Sequence, residues 1–149
     1  MLIIGIDIAK RCHEACILDT SGKMKGKPFS FPNSHTGADT LLSQIQKHNP
    51  DSLPIEFGME ATGHYWLALY SRLIQDGFTV HVINPIQSDS LRNLYIRKTK
   101  TDMVDSFLIA EVIRFGRFSQ TSLAAPDIIA LRQLCRYRFC LVDQISDVK

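Results

Sequence analysis

Four carboxylates stand where a carboxylate is either expensive or oddly placed. Asp7 lies inside "LIIGIDIA", the most apolar run of the chain, where an unpaired charge is strongly disfavoured unless something positive compensates it. Glu60 ends a second core-type run, "IEFGME", beside the Gly63 loop. Asp102 and Asp105 sit three apart in "KTKTDMVDSFLIAEVI", between a basic run and a long apolar helical pattern. At that spacing they share one face of a helix, whereas Glu111 is turned to the opposite side and reads as a solvated charge. Each acid has a bland explanation of its own. Asp102 and Asp105 can serve as helix N-cap and capping-box residues at the positive end of the helix dipole, and Asp7 can pair with Lys10 or Arg11. Taken together, two strands and one helix could bring all four to one point. Such a cluster stays ionised only with cations, and the usual solution is a pair of Mg²⁺ ions about 3.5–4 Å apart that activates one oxygen and stabilises another in phosphodiester chemistry.

A polyanionic substrate would need cations beside that cluster. Arg92, Arg97, Lys98 and Lys100 lead into Asp102, with Tyr95 among them, and contacts from such side chains to phosphates supply the sequence-independent part of nucleic-acid binding. The net charge of +2 is too small to argue binding from the whole chain, so the local cluster carries the expectation. Arg132, Arg136 and Arg138 in the tail are weaker candidates, because a wet helix face ordinarily carries arginine. His64 and Tyr65 could border the site, and Trp66 reads as core.

The elements that must position these residues read as strands first and helices after. "LIIGIDIA" (2–9) suits a central strand buried on both faces, with hairpin neighbours at 13–20 and 26–32 separated by Ser21-Gly22. Helical spacing follows at 36–48, a fourth strand at 55–60, a helix from about 64 to 75 stopped by Gly77, and a fifth strand at 78–83 closed by Asn84-Pro85. Helices fill the rest. The order predicts an α/β layer fold, a mixed sheet covered by helices. The tail from Pro126 carries Ile129, Leu131, Leu134, Leu141, Val142 and Ile145 and reads as a helix running to Lys149, as in a domain cut from something longer.

With 149 residues, 45% of them hydrophobic and 21% charged, the chain can bury one core and reads as one domain. No run approaches the roughly 18 apolar residues of a membrane-spanning helix, and Asp7 interrupts the apolar N-terminus where a signal peptide would not. The cytoplasm is the expected location. The four cysteines read as structural or inert: Cys12 and Cys16 in a strand lie about 13 Å apart, and Cys135 and Cys140 point to different faces of a helix.

The segments "GIDIAK", "EATGHYW" and "KTKTDMVDS" together resemble the N-terminal domain of the DEDD transposases, the insertion-sequence family numbered 110, which includes the Piv-type DNA invertases; the similarity covers essentially the whole chain. It implies a RuvC-like domain of the RNase H superfold over residues 1–125, with a five-stranded mixed sheet flanked by helices, and the start of a helical, coiled-coil connector over 126–149. It implies that Asp7, Glu60, Asp102 and Asp105 form a catalytic, metal-holding tetrad for Mg²⁺ (or Mn²⁺). The activity implied is DNA strand cleavage and exchange in transposition, guided by a bridge RNA and carried out by dimers or tetramers. A second, C-terminal domain bearing a serine nucleophile is implied as well and is absent from these 149 residues, so this chain should bind metal and nucleic acid without full recombinase activity. Ser106 stands where a small alanine is expected. An actin-like kinase also begins with such a strand but needs glycine and Ser/Thr after the aspartate, where Ala9-Lys10-Arg11 stand here. A non-catalytic nucleic-acid-binding and oligomerisation module, and a stand-alone Holliday-junction resolvase, are the remaining alternatives.

Overall fold

The strand carrying Asp7, β1 (Leu2–Asp7), is the middle of a five-stranded sheet ordered β3-β2-β1-β4-β5. The other strands are β2 (Cys12–Asp19), β3 (Phe29–Pro32), β4 (Ile55–Glu60) and β5 (Thr79–Ile83), and the helices are α1 (His35–Lys47), α2 (Leu67–Gln75), α3 (Pro85–Leu94), α4 (Asp102–Phe115) and α5 (Pro126–Asp147). The computed structural model describes residues 1–61, 63–94, 102–116, 118–119 and 126–147, with side chains 89, 91–94, 102–104, 126, 129 and 147 outside that description. The expected element order is found; β4 matches its expected bounds, β2 is shifted by one residue, and β1, β3 and β5 are shorter than the expected 2–9, 26–32 and 78–83. β1, β2 and β3 pair antiparallel, while β4 and β5 join β1 in parallel.

Alternation along β1 sends its side chains into two separate cores. Leu2, Ile4 and Ile6 pack with Ala15 and Ile17 of β2, Phe57 and Met59 of β4, Leu41 and Ile45 of α1, and Leu69 and Leu73 of α2. Ile3 faces the other way and packs with Cys16, Leu18, Ile83 and the α4 residues Ile109, Ala110, Val112 and Ile113. Burial on both faces is what a continuous apolar run in a central strand requires. α1 is started by Ser34, whose hydroxyl accepts from Gly37 N at 3.1 Å, and α3 by Asn84, whose side chain accepts from Ile86 N at 3.0 Å with Pro85 at the first helical position.

The seating of α4 follows from two glycines that face each other in the β1–β4 register, Gly5 and Gly58. A methyl group at Gly5 would lie 2.0 Å from the Ser106 carbonyl oxygen and 2.6 Å from Ala110 N, and one at Gly58 would lie 2.5 Å from Ile113 Cγ1. The helix backbone thus rests directly on β1. At its other end Glu111 and Arg114 lie against Gly22, in the turn after Asp19, which pairs with Leu2 at the start of β1. α4 therefore runs antiparallel to β1, and its first turn lies over the end of the sheet where β1 and β4 finish. Gly5→Ala is expected to lower stability by about 3 kcal/mol through overpacking, against about 1 kcal/mol for Gly77→Ala, which has a left-handed backbone but open space around it; urea unfolding of the two variants checks this, and equal losses would contradict the seat.

Candidate active site

Asp7 and Glu60 are the last residues of β1 and β4. The parallel register pairs Ile6 with Met59, so one further step sets Asp7 beside Glu60 on strands about 4.8 Å apart. Asp7 shares its face with Ile3 and Gly5, and Glu60 with Gly58, so both lie on the side covered by α4. Asp105, 8% exposed, immediately precedes Ser106, whose carbonyl rests on Gly5. Asp102 opens α4 one turn earlier, and its side chain is outside the described residues. Three of the four expected acids thus reach one edge of the sheet. Among the described residues no three Asp, Glu, His or Cys side chains come close enough to hold one metal ion. Of the expected cationic residues, Arg92 lies in α3 with its side chain undescribed, and Arg97, Lys98 and Lys100 fall outside the described residues.

Two polar neighbours of the acids have only a faint signal in the sequence. Ser88, 1% exposed, sits one turn into α3, and its hydroxyl donates to Glu60 Oε1; the same hydroxyl is 2.8 Å from the Pro85 carbonyl, and its single proton serves one acceptor at a time. The pattern Asn-Pro-x-x-Ser after a strand marks a helix start and, less obviously, a hydroxyl one turn in. Glu14 is the antiparallel partner of Asp7 and so shares its face. Its carboxylate accepts from the Ser30 hydroxyl of β3, the residue paired with it in register.

One expectation needs correction, and one bland alternative finds no support. Glu111 is not a solvated charge: it is 2% exposed and is gripped by Arg114, with Nε and Nη2 donating at 2.6 and 2.8 Å. The side of α4 that carries Glu111 is still interior, because the sheet and the Gly22 turn cover it. Lys10 and Arg11 do not neutralise Asp7 either. Both are exposed, and among the described residues neither closes an ion pair. Trp66 is core as expected, 6% exposed, with Nε1 donating to the Gly63 carbonyl at 3.2 Å. His64 and Tyr65 stack beside it with ring centres 4.4 Å apart. Ser106, fully buried, lies beside Cys16, whose thiol burial pushes up to about 12. Cys16 is inert on that account, and all four cysteines are free.

Compared with known proteins, the chain matches a transposase family, the DEDD transposases of the insertion-sequence 110 type, over residues 4–149. It is 31% identical over 123 residues to the pilin gene-inverting protein of Moraxella lacunata, covering 83% of this chain and 36% of that protein. It is 27% identical over 128 residues to a mini-circle transposase for IS117 from Streptomyces coelicolor, covering 85% and 30%. The chain spans about a third of the length of these curated relatives. Its fold is similar to that of Thermus thermophilus RuvC solved with a Holliday junction substrate, with a TM-score of 0.53 at 13% identity over 81% of this chain and 99% of that one. A second RuvC structure from Thermus thermophilus gives 0.51. At such identity the likeness concerns the fold alone, and the fold is the expected RNase H-like, RuvC-like one.

Because Cys16 lies under α4 while Cys12 is exposed, a thiol reagent in mildly alkaline buffer is expected to label Cys12 at once and Cys16 only as fast as α4 lifts or the chain unfolds. Mass spectrometry of the labelled peptides checks this; rapid labelling of Cys16 in the folded protein would contradict the packing.

Proposed function

This chain belongs to the DEDD transposase family of the insertion-sequence 110 type, and on that premise we propose that its acidic edge is the strand-cleaving centre of a DNA transposase and recombinase, with Asp7, Glu60, Asp102 and Asp105 holding Mg²⁺ or Mn²⁺. The observation that carries this reading is the seating of α4 on Gly5 and Gly58, which starts the helix over the ends of β1 and β4. The donor set fits the ions: every candidate ligand is a carboxylate oxygen, the hard donor those cations prefer. Bound there, they would activate the attacking oxygen and stabilise the leaving one in phosphodiester cleavage. The chain's own part is to hold the ligands in place. Ser88 fixes one oxygen of Glu60, and Asp105 is held by the helix beneath which β1 runs.

DNA is the substrate in this reading, and Arg92, Arg97, Lys98 and Lys100 take its phosphates or those of a guide RNA. Lys100 stands two residues before Asp102 in the sequence. A second copy of the chain is the partner for α5. Leu131, Leu134, Leu141 and Ile145 are exposed there at heptad-like spacing, and none of the described side chains of α5 belongs to either core. No helix among the described residues is long and apolar enough to cross a membrane, and the reading places the protein in the cytoplasm. On this reading these residues bind metal and DNA at the acidic edge.

A calorimetric Mn²⁺ titration with duplex DNA present tests the reading. Binding by the unaltered chain and its loss in the Asp102→Asn, Asp105→Asn double variant are expected, with Asp7→Asn weakening metal affinity at least about tenfold while raising the metal-free Tm, since it removes repulsion among the acids. Equal weak binding in all three proteins would favour a non-catalytic nucleic-acid-binding module, and efficient cleavage of a four-way junction by this chain alone would favour a stand-alone resolvase.

A further inference from the structure

The turn between β1 and β2 is held from an unexpected direction. Asn33, in the link between β3 and α1, donates its backbone N–H to the Arg11 carbonyl at 2.9 Å, and its side-chain amide lies 3.4 Å from both the Lys10 and the Tyr65 carbonyls. One residue thus ties together the turn after Asp7 and the loop after Glu60. Beneath it lies His13, 1% exposed, whose Nδ1 accepts from Ala9 N at 3.2 Å. That bond leaves the ring proton on Nε2, which is buried and closes no hydrogen bond of normal geometry among the described residues. Burial lowers the pKa of His13 although the nearby Asn33 side chain opposes the shift, so the ring is a neutral wedge under the turn rather than a charge.

The turn presents Lys10 and Arg11, both exposed and, among the described residues, outside every ion pair. A group with neither packing nor a partner has no structural reason to be a cation, and these two lie three and four residues beyond Asp7, within about 10 to 14 Å along the chain. A phosphate approaching an edge that carries Asp7, Glu14, Glu60 and Asp105 meets repulsion on that side. Cations flanking the edge lower that cost, and an ordered turn lowers the entropy of presenting them.

We propose that the β1–β2 turn is a phosphate-binding ledge, in which Lys10 and Arg11 contact the backbone of the DNA strand led to the acidic edge and Asn33, propped by His13, positions them. The proposal rests on the acidic edge being the DNA-cleaving site. The ledge acts through phosphates, so it contributes affinity and register without sequence preference.

The salt dependence of binding distinguishes contact from bystander. With a labelled duplex followed by fluorescence anisotropy across a KCl series, the Lys10→Ala, Arg11→Ala double variant is expected to reduce the slope of log K against log [salt] by about 2 and leave Tm unchanged. A Lys23→Ala, Lys27→Ala variant removes the same charge from the opposite end of β2 and should keep the slope. Asn33→Ala, which retains both cations, should lower the slope, whereas a merely structural role would lower Tm and spare it. Equal slopes for the Lys10/Arg11 and Lys23/Lys27 variants overturn the ledge even if Mn²⁺ binds at the acidic edge. A reduced slope together with no Mn²⁺ site would keep the ledge as part of a nucleic-acid-binding module and sink the catalytic reading instead. No binding of duplex by the unaltered chain would overturn both.

Discussion

The acidic edge depends on how closely one helix approaches one sheet. Helices normally ride on side chains, which keep them well clear of the strands beneath. Here Gly5 and Gly58, neighbours in register, leave a bare patch two strands wide, and α4 settles into it until the Ser106 carbonyl occupies the space of a missing Cβ. The vertical position of α4 is set there, and Asp105, adjacent to Ser106, inherits it. A side chain at Gly5 would meet the Ser106 carbonyl and lift the helix there, and one at Gly58 would press on Ile109 and Ile113. On the proposed reading Gly5 is therefore as much part of the site as the carboxylates.

The far end of α4 is fixed by a different kind of contact. Arg114 forks Glu111 in a buried pair, close enough to Gly22 that the hairpin turn and the helix end are mutually fitted. A buried pair of this sort adds little net stability over apolar packing, but breaking it leaves a charge stranded in the interior, so it resists slippage of the helix along the sheet. At the acidic end the electrostatics run the other way. Carboxylates from β1, β2 and β4 occupy neighbouring positions on one face, two of them accepting hydroxyl bonds from Ser30 and Ser88. These bonds orient carboxylate oxygens without cancelling their charge.

Much of this was legible in the sequence. The apolar run around Asp7 announced a strand buried on both faces, the Gly and Pro punctuation separated the elements, and the three motif segments pointed to the family and hence to the fold. The failures have a common cause in that they require knowing what covers what. Glu111 lies on the side of α4 turned away from the Asp102–Asp105 pair on a helical wheel, and the wheel is right; the inference to solvent fails because the sheet and the Gly22 turn leave that side of α4 interior. Glu14 becomes a neighbour of Asp7 only through a hairpin register, and Ser88 reaches Glu60 only because α3 starts beside the end of β4. Asn33 reads as a turn residue, and nothing in its local sequence says that it bonds to Lys10, Arg11 and Tyr65 at once.

Anomalous scattering from Mn²⁺ in crystals of this chain grown with a DNA duplex tests the central claim most directly, because it locates the metal without relying on loss of function. The account predicts density at the ends of β1 and β4, within about 2.1 Å of carboxylate oxygens of Asp7, Glu60 and the first turn of α4. Strong Mn²⁺ peaks elsewhere with none at that edge, or ordered DNA at the edge with no metal beside it, would contradict it.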